Sequence, residues 1–300
     1  MKIVLLGRDG QVGWELQRAL APLGEVVALG RDEADLADIP ALLARVRRER
    51  PDAVVNAAAY TAVDKAEEEP GLAAKVNAEA PSALAGLCAE LGAWMVHYST
   101  DYVYDGQSDG AYVETAPTRP LSVYGRTKLE GDLGVSGSGC QHLIFRTSWV
   151  FAARGGNFAK TMLRLAAERD GLDVVADQYG APTSAELIAD VTALCLHRVL
   201  RGAGGASDGA SLSGLYHLAA AGEATWFDYA RHVIAGATAR GLALKMSADA
   251  VNPIPALAYP LPAARPGNSR LSVRKLETTF GLHMPDWRLH VDRMLDEILG

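Results

Sequence analysis

A tyrosine and a lysine four residues apart form the pair in this sequence best suited to moving a proton. Tyr124 and Lys128 stand in Tyr-Gly-Arg-Thr-Lys, within a stretch of helical periodicity over residues 124–133. Side chains at positions i and i+4 share a helix face, so the phenol and the ammonium would project together. A phenol ionises near pH ~10, and a neighbouring cation favours its ionised form. The pair predicts a proton-transfer site, although the same spacing also arises by chance in helices.

Two hydroxyl residues end an apolar strand upstream of this pair. The segment Tyr98-Ser99-Thr100-Asp101-Tyr102 follows a strand-like run over residues 94–99. Carboxyl ends of parallel strands face the ligand crevice of an open sheet. Ser99 and Thr100 point to opposite faces of a strand, so only one is expected to reach the site. The hydroxyl of the residue that reaches the site would donate a hydrogen bond to a substrate carbonyl beside Tyr124.

Three glycines follow the first strand of the chain. Gly7, Gly10 and Gly13 have the spacing G-x-x-G-x-x-G, between a strand over residues 2–6 and a helix over 12–23. Glycines allow a tight turn and close approach to phosphates, whose charge is met by a helix N-terminus. The turn alone could be only a tight turn. Ahead of a helix in an alternating chain, it predicts a dinucleotide site.

The end of the second strand bears on which dinucleotide would bind. Many NAD sites place an acidic residue there to hold the ribose, whereas this chain has Arg31. A guanidinium can pair with a 2′-phosphate that an acid would repel. The sequence predicts NADPH rather than NADH, with Asp35 as a ribose contact. A solvated loop arginine is the alternative.

Strands and helices alternate through the first half of the chain. Short apolar runs predict strands over residues 2–6, 25–29, 53–58, 94–99 and 142–150, and helical periodicity predicts helices over 12–23, 39–48, 63–91 and 124–133. A closing helix is predicted over residues 287–299. Nearly continuous apolar strands indicate a parallel sheet covered on both faces. We expect an α/β fold, with a Rossmann-type doubly wound parallel sheet over residues 1–151. A smaller C-terminal α/β substrate domain is expected over 152–300, with a helix near 185–200 that could pack back on the first domain. A glycine- and serine-rich stretch, 201–214, predicts a surface loop.

Composition excludes several classes of protein. The 300 residues carry a net charge of −7 with interspersed signs, which argues against non-specific nucleic-acid binding. The cysteines are three and dispersed (Cys88, Cys140 and Cys195), which argues against a disulfide framework. No apolar run approaches the roughly 18 residues of a membrane span. These features predict a soluble, cytoplasmic protein.

The motifs together resemble the extended short-chain dehydrogenase/reductases. They are the glycine set, residues 56–61 (Asn-Ala-Ala-Ala-Tyr-Thr), residues 99–103 (Ser-Thr-Asp-Tyr-Val) and the Tyr-x-x-x-Lys pair. Further segments are similar to one branch, the dTDP-4-dehydrorhamnose reductases: residues 61–67, 146–150, 157–160, 177–183 and 265–271. The matching segments span nearly the whole chain.

This resemblance implies reduction of the 4-keto group of dTDP-4-dehydro-L-rhamnose by NADPH, with NADH as the alternative. Tyr124 would be the proton donor, Lys128 its partner, and Thr100 the hydroxyl at the site. Residues implied to contact the cofactor are Gly7, Gly10, Gln11, Val12, Gly13, Arg31, Asp35, Leu36, Ala58, Ala59, Tyr60, Thr61, Tyr98, Tyr124 and Lys128. Residues expected on the sugar-nucleotide side are Thr100, Asp101, Tyr102, Trp149, Arg265 and Arg270, with surface salt bridges as the alternative for the two arginines.

The resemblance also implies Mg²⁺ held between the subunits of a homodimer by Glu15, Glu186 and Glu297. Each glutamate alone also fits an ordinary solvated helix residue. Two other functions stay open at this point. One is a sugar-nucleotide 4-epimerase or dehydratase of the same fold, and the other is a non-catalytic subunit like the regulatory subunit of methionine adenosyltransferase.

Overall fold

Six parallel strands form the central sheet of the computed structural model, which describes residues 1–201 and 212–300. The strands are β1 Lys2–Leu6, β2 Glu25–Leu29, β3 Ala53–Asn56, β4 Trp94–Thr100, β5 His142–Thr147 and β10 Gly214–His217. Their order in the sheet is β2-β1-β3-β4-β5-β10. The chain winds to one side of β1 and then to the other, which makes the β1/β3 boundary the topological switch point. The predicted doubly wound α/β fold is confirmed. The predicted loop 201–214 lies mostly outside the described residues.

Helices cover both faces of this sheet, and the buried side chains of the strands explain why. Ile3 through Leu6 and Ala53 through Val55 are fully buried, so neither sheet face meets water. The helices are α1 Gln11–Leu20, α2 Ile39–Glu49, α3 Val63–Glu68, α4 Pro70–Ala74, α5 Ala80–Leu91 and α6 Val123–Gly137. A π-helical turn, Lys75–Glu79, joins α4 to α5. The predicted helical stretch 63–91 is therefore interrupted, and α3 ends just before Pro70, which lacks the N–H that would continue it.

The second half adds helices and three two-stranded pairs. The pairs are β6 (Val150–Phe151) with β9 (Thr183–Ser184), β7 (Leu172–Val175) with β12 (Val251–Ile254), and β8 (Tyr179–Gly180) with β11 (Ala224–Thr225). The helices are α7 Phe158–Glu168, α8 Ala185–Arg201, α9 Trp226–Ala239, α10 Arg274–Phe280 and α11 Trp287–Leu299. Neither α10 nor β12 is predicted from the sequence, because both are short and β12 depends on its partner β7.

Two elements from the second half of the chain pack against elements of the first half. The helix α8 packs against α1, and the strand β10 joins the edge of the central sheet beside β5. The expected division into 1–151 and 152–300 stays a prediction, since the sheet draws on both stretches. None of the helices among the described residues has the length and apolar character needed to cross a bilayer. All three cysteines are buried free thiols.

Candidate active site

A cavity of about 570 Å³ opens at the switch point, at the carboxyl ends of β1, β3, β4 and β5. Most of the predicted site residues line it. They are Gly7, Gly10, Gln11, Val12, Arg31, Asp35, Leu36, Ala58, Ala59, Thr61, Tyr98, Thr100, Asp101, Tyr102, Tyr124, Lys128 and Trp149. One cavity therefore joins the glycine turn to the tyrosine and lysine.

Other residues line the same cavity without having been predicted to do so. They are Asp9, Ala34, Ala57, Val63, Val76, Ser99, Thr147, Ser148 and Val150. The pairing of β4 with β5 places Thr147 opposite Thr100. The polar residues at the end of β5 were therefore a sequence signal for the part of the cavity wall that Thr147 and Ser148 form. Ser99 and Thr100 both line the cavity, but the Ser99 hydroxyl interacts with the buried Asp132, whereas the Thr100 hydroxyl interacts with Tyr124. That only one of the two hydroxyls reaches the reacting groups stays a prediction.

The glycines of the turn after β1 allow close contact between backbone segments. Gly7 has a φ of +83°, and a Cβ there would lie 2.8 Å from the amide nitrogen of Ala58. A Cβ on Gly13 would lie 1.9 Å from the carbonyl oxygen of Gly7. Gly13 does not line the cavity; it lets α1 pack onto the turn. This close packing fits the pyrophosphate of a dinucleotide, which needs unobstructed amides at the start of a helix.

The start of α6 places Tyr124. The Ser122 hydroxyl caps the helix by accepting from the Gly125 amide at 3.2 Å, so Tyr124 lies in the first turn. A Cβ on Gly125 would come within 2.2 Å of the Tyr102 carbonyl oxygen. Glycine at this position therefore lets α6 contact the segment after β4. The rings of Tyr102 and Tyr124 meet edge to face at 5.5 Å.

Burial dominates the electrostatics of the phenol. Burial raises the pKa of Tyr124, and its interaction with the Thr100 hydroxyl opposes that shift. The sequence predicts that Lys128 lowers the pKa of Tyr124. In the protein without ligand, the pKa of Tyr124 is instead raised. Burial outweighs any such effect, and the Lys128 Nζ donates to the Tyr98 carbonyl oxygen at 2.6 Å. Burial lowers the pKa of Lys128 to about 8, against an opposing attraction to Asp132.

Thr100 and Asp101 form a hydrogen-bonded unit at the end of β4. The Thr100 hydroxyl donates to Asp101 Oδ1 at 3.0 Å and accepts from the Tyr102 amide at 3.2 Å. Burial raises the pKa of Asp101 to about 6. Asp101 Oδ2 has no hydrogen-bond partner among the described residues. That oxygen is buried, and the neighbouring Ser269 side chain opposes the rise in the pKa of Asp101.

Trp149 is held in place from three sides. Its φ is +48°, and this turn of the backbone divides the predicted strand 142–150 into β5 and β6. Its indole stacks on Trp226 with ring centroids 3.7 Å apart. A Cβ on Gly180 would lie 2.6 Å from the same indole. Sequence reasoning missed Trp226, which belongs to α9 and is distant along the chain.

At the other end of the cavity, Arg31 is 79% exposed and its Nε lies 3.2 Å from Asp35 Oδ2. Asp35 also accepts from the Ala37 amide at 2.9 Å, which is the main cause of its lowered pKa. The carboxylates of Asp9 and Asp32 flank Gly30. The guanidinium of Arg31 thus lies at the cavity in an exposed ion pair with Asp35, within a partly acidic surface.

Known proteins match this chain along its whole length. The family model described as the RmlD substrate binding domain matches residues 1–299. A dTDP-4-dehydrorhamnose reductase of Shigella flexneri is 50% identical over 302 residues, covering 99% of this chain and 98% of the relative. The chain belongs to the dTDP-4-dehydrorhamnose reductase family.

Solved structures of the dTDP-4-dehydrorhamnose reductase family share the fold. An ortholog from Clostridium acetobutylicum aligns with a TM-score of 0.89 at 34% identity, covering 100% of both chains. A second, from Bacillus anthracis in complex with NADP, aligns with a TM-score of 0.86 at 31% identity, covering 99% of both. The resemblance inferred from the motifs is confirmed.

Some residues expected from the dTDP-4-dehydrorhamnose reductase family lie outside the cavity. Tyr60 donates its hydroxyl to Glu69 at 2.7 Å. Arg265 pairs with Asp64 at 2.8 Å, and Arg270 pairs with Glu223 at 3.0 Å. Arg265 is still close enough for its charge to lower the pKa of Tyr102, against the raising effect of burial. Contact of the two arginines with a substrate diphosphate stays a prediction.

The three glutamates expected to bind magnesium line a second cavity of about 310 Å³. Glu186 pairs with Arg293 at 2.8 Å, and Glu15 lies 3.5 Å from Arg18. Burial, opposed by Arg18, raises the pKa of Glu15, and Glu186 and Glu297 add to the rise. Within residues 1–201 and 212–300, no group of three or more His, Cys, Asp or Glu side chains is placed to hold a metal ion. The structure thus gives the magnesium prediction no support, and the homodimer stays a prediction.

Proposed function

We propose that this chain reduces the 4-keto group of dTDP-4-dehydro-L-rhamnose to the alcohol, using NADPH. The observation that carries the proposal is the single cavity that joins the glycine turn to Tyr124, Thr100 and Lys128. The family relatives named dTDP-4-dehydrorhamnose reductase support the substrate. The NADP complex of the Bacillus anthracis structure supports the cofactor.

Tyr124 is the proton donor in this proposal. When bound, NADPH supplies the hydride that reduces the carbonyl carbon. The carbonyl oxygen then takes one proton from the Tyr124 phenol, which burial keeps protonated. The Thr100 hydroxyl turns its hydrogen from Asp101 toward the developing alkoxide. Such a bond strengthens as charge develops, and therefore contributes to the rate rather than to ground-state binding.

An assay that follows NADPH absorbance tests this function. We expect the protein to consume one NADPH for each keto-sugar nucleotide reduced. A 4-epimerase or dehydratase regenerates its bound nucleotide and would show no net consumption. A non-catalytic subunit would show none under any condition. Either result would contradict the proposed reaction.

We propose that Arg31 gives the protein its preference for NADPH over NADH. Arg31→Ala is expected to lower kcat/KM for NADPH by about 10-fold or more, because a charged hydrogen bond to the 2′-phosphate contributes about 1.5–3 kcal/mol. The value for NADH should change little. Arg164→Ala, at a surface pair outside the cavity, is the control. An equal loss with both cofactors would mean that Arg31 does not contact the 2′-phosphate.

A further inference from the structure

Three buried polar side chains form a chain behind the cavity. Asn56 ends β3, His97 lies on β4 directly opposite it, and Lys128 projects from α6. Asn56 Nδ2 is 3.3 Å from His97 Nδ1, and His97 Nε2 is 3.3 Å from Lys128 Nζ. All three residues are at least 98% buried. With water excluded, each hydrogen-bonding atom depends on the partner that it faces.

The orientation of Asn56 can be assigned from its backbone neighbour. The Ala58 amide donates to Asn56 Oδ1 at 3.2 Å. A backbone N–H can only donate, so the side-chain atom facing it must be the oxygen. The amide nitrogen of Asn56 therefore faces His97 and donates to Nδ1.

This donor determines the tautomer of His97. A neutral imidazole has one acceptor nitrogen and one N–H. Burial is the main cause that lowers the pKa of His97 well below its usual range, so the ring is neutral. Because Nδ1 accepts from Asn56, the hydrogen must be on Nε2, and Nε2–H points at Lys128 Nζ.

A hydrogen pointing at Nζ favours one protonation state of Lys128. The ammonium has only donors, whereas the neutral amine has a lone pair that can accept from Nε2–H. The amine can still donate to the Tyr98 carbonyl oxygen, 2.6 Å away. An ammonium would put two donors face to face at His97.

We propose that His97 is a positioning residue: held by Asn56 with its hydrogen on Nε2, it fixes Lys128 beside the cavity and stabilises the neutral amine. This inference rests on the proposed role of Lys128 as the partner of Tyr124. A lysine whose two protonation states are close in free energy can release a proton to restore the phenol and regain one from water in the cavity that it lines.

The surrounding charges are consistent with this role. Burial lowers the pKa of Lys128 to about 8, and Asp132 limits the shift. Four other titratable groups lie near Asn56, His97 and Lys128. They are Tyr124 and Asp132 on α6, Asp101 after β4, and Arg146 on β5. Arg146 pairs with Asp132. From the π-helical turn, Asn77 reaches the region and donates to Thr127, but it does not titrate.

Nuclear magnetic resonance of the protein without ligand tests the tautomer. In protein with ¹⁵N-labelled histidine, we expect the two ring nitrogens of His97 to show a hydrogen on Nε2 and none on Nδ1. The His97 signals are assigned by their loss in His97→Gln. A hydrogen on Nδ1 would overturn the inference without affecting the reductase proposal. An inactive protein with the Nε2–H tautomer would overturn only the reductase proposal.

A second measurement follows the titration of Lys128 itself, with lysine labelled at Cε and Nζ. In His97→Gln the amide can turn its oxygen toward Nζ, so the pKa of Lys128 should rise by about one unit or more. His142→Gln is the matched control: this half-buried histidine begins β5, its Nδ1 faces the Cys140 carbonyl oxygen, and its loss should leave the pKa of Lys128 unchanged. A merely structural histidine would lower the thermal midpoint in His97→Gln without moving the pKa of Lys128, and that result would overturn the inference.

Discussion

Tyr124→Phe is expected to lower kcat by about 10²–10⁴-fold, the usual contribution of a positioned proton donor. The ring of Tyr124 packs in a small cluster with Ala66, Ala73 and Val123, and phenylalanine preserves that packing. Only the hydroxyl beside Thr100 is lost. NADPH affinity should therefore change little, which a fluorescence titration would measure.

Tyr229→Phe is the matched control for this prediction. Tyr229 is buried in the second half of the chain, and its hydroxyl has no hydrogen-bond partner among the described residues. Removing that hydroxyl should leave kcat unchanged. Wild-type turnover in Tyr124→Phe would show that the proton comes from another group. A loss of NADPH binding as large as the loss of kcat would instead indicate a binding role for the hydroxyl.

Arg146→Met is expected to cost about 3–5 kcal/mol of the free energy of unfolding, because it leaves a buried charge without its partner. Arg146 Nε lies 3.0 Å from Asp132 Oδ2, with side chains only 5% and 2% exposed. Arg146 also donates to the Tyr104 hydroxyl at 2.8 Å. Methionine fills a similar volume but cannot compensate the carboxylate. Denaturant unfolding measures the change.

Arg164→Met is the control for burial. Its partner Glu168 is one helical turn away, and the two side chains are 60% and 54% exposed. An exposed pair of this kind contributes about 1 kcal/mol or less. Similar losses of stability in the two variants at neutral pH would contradict the argument from burial.

The effect of Arg146→Met should also depend on pH in a definite direction. Burial raises the pKa of Asp132, and the Arg146 charge opposes that rise. Without the guanidinium the folded-state pKa of Asp132 rises further, so the folded variant binds a proton more readily than the unfolded chain does. Stability then increases as the pH falls. The full loss in the free energy of unfolding is therefore expected at pH values above the pKa that Asp132 has in the folded variant. The loss becomes smaller as the pH falls through that pKa.

The strands and most helices could be predicted because their signals are local. The strands Lys2–Leu6 and Glu25–Leu29 and the helix Trp287–Leu299 have the bounds that apolar periodicity predicts. The predicted strand 53–58 ends early, at Asn56, where the side chain bonds the Ala58 amide instead of continuing the ladder. The return of β10 to the sheet depends on pairing with β5, which no local pattern encodes.

The sequence alone determined the family motifs, the alternating α/β order, and the shared helix face of Tyr124 and Lys128, because each follows from spacing along a few turns of chain. Only the tertiary structure decided which way Lys128 points, the burial that raises rather than lowers the pKa of Tyr124, and the pairing of Arg146 with Asp132. These depend on which distant segments exclude water from a group and which atoms they offer in its place. That environment is absent from the residue pattern until the chain has folded.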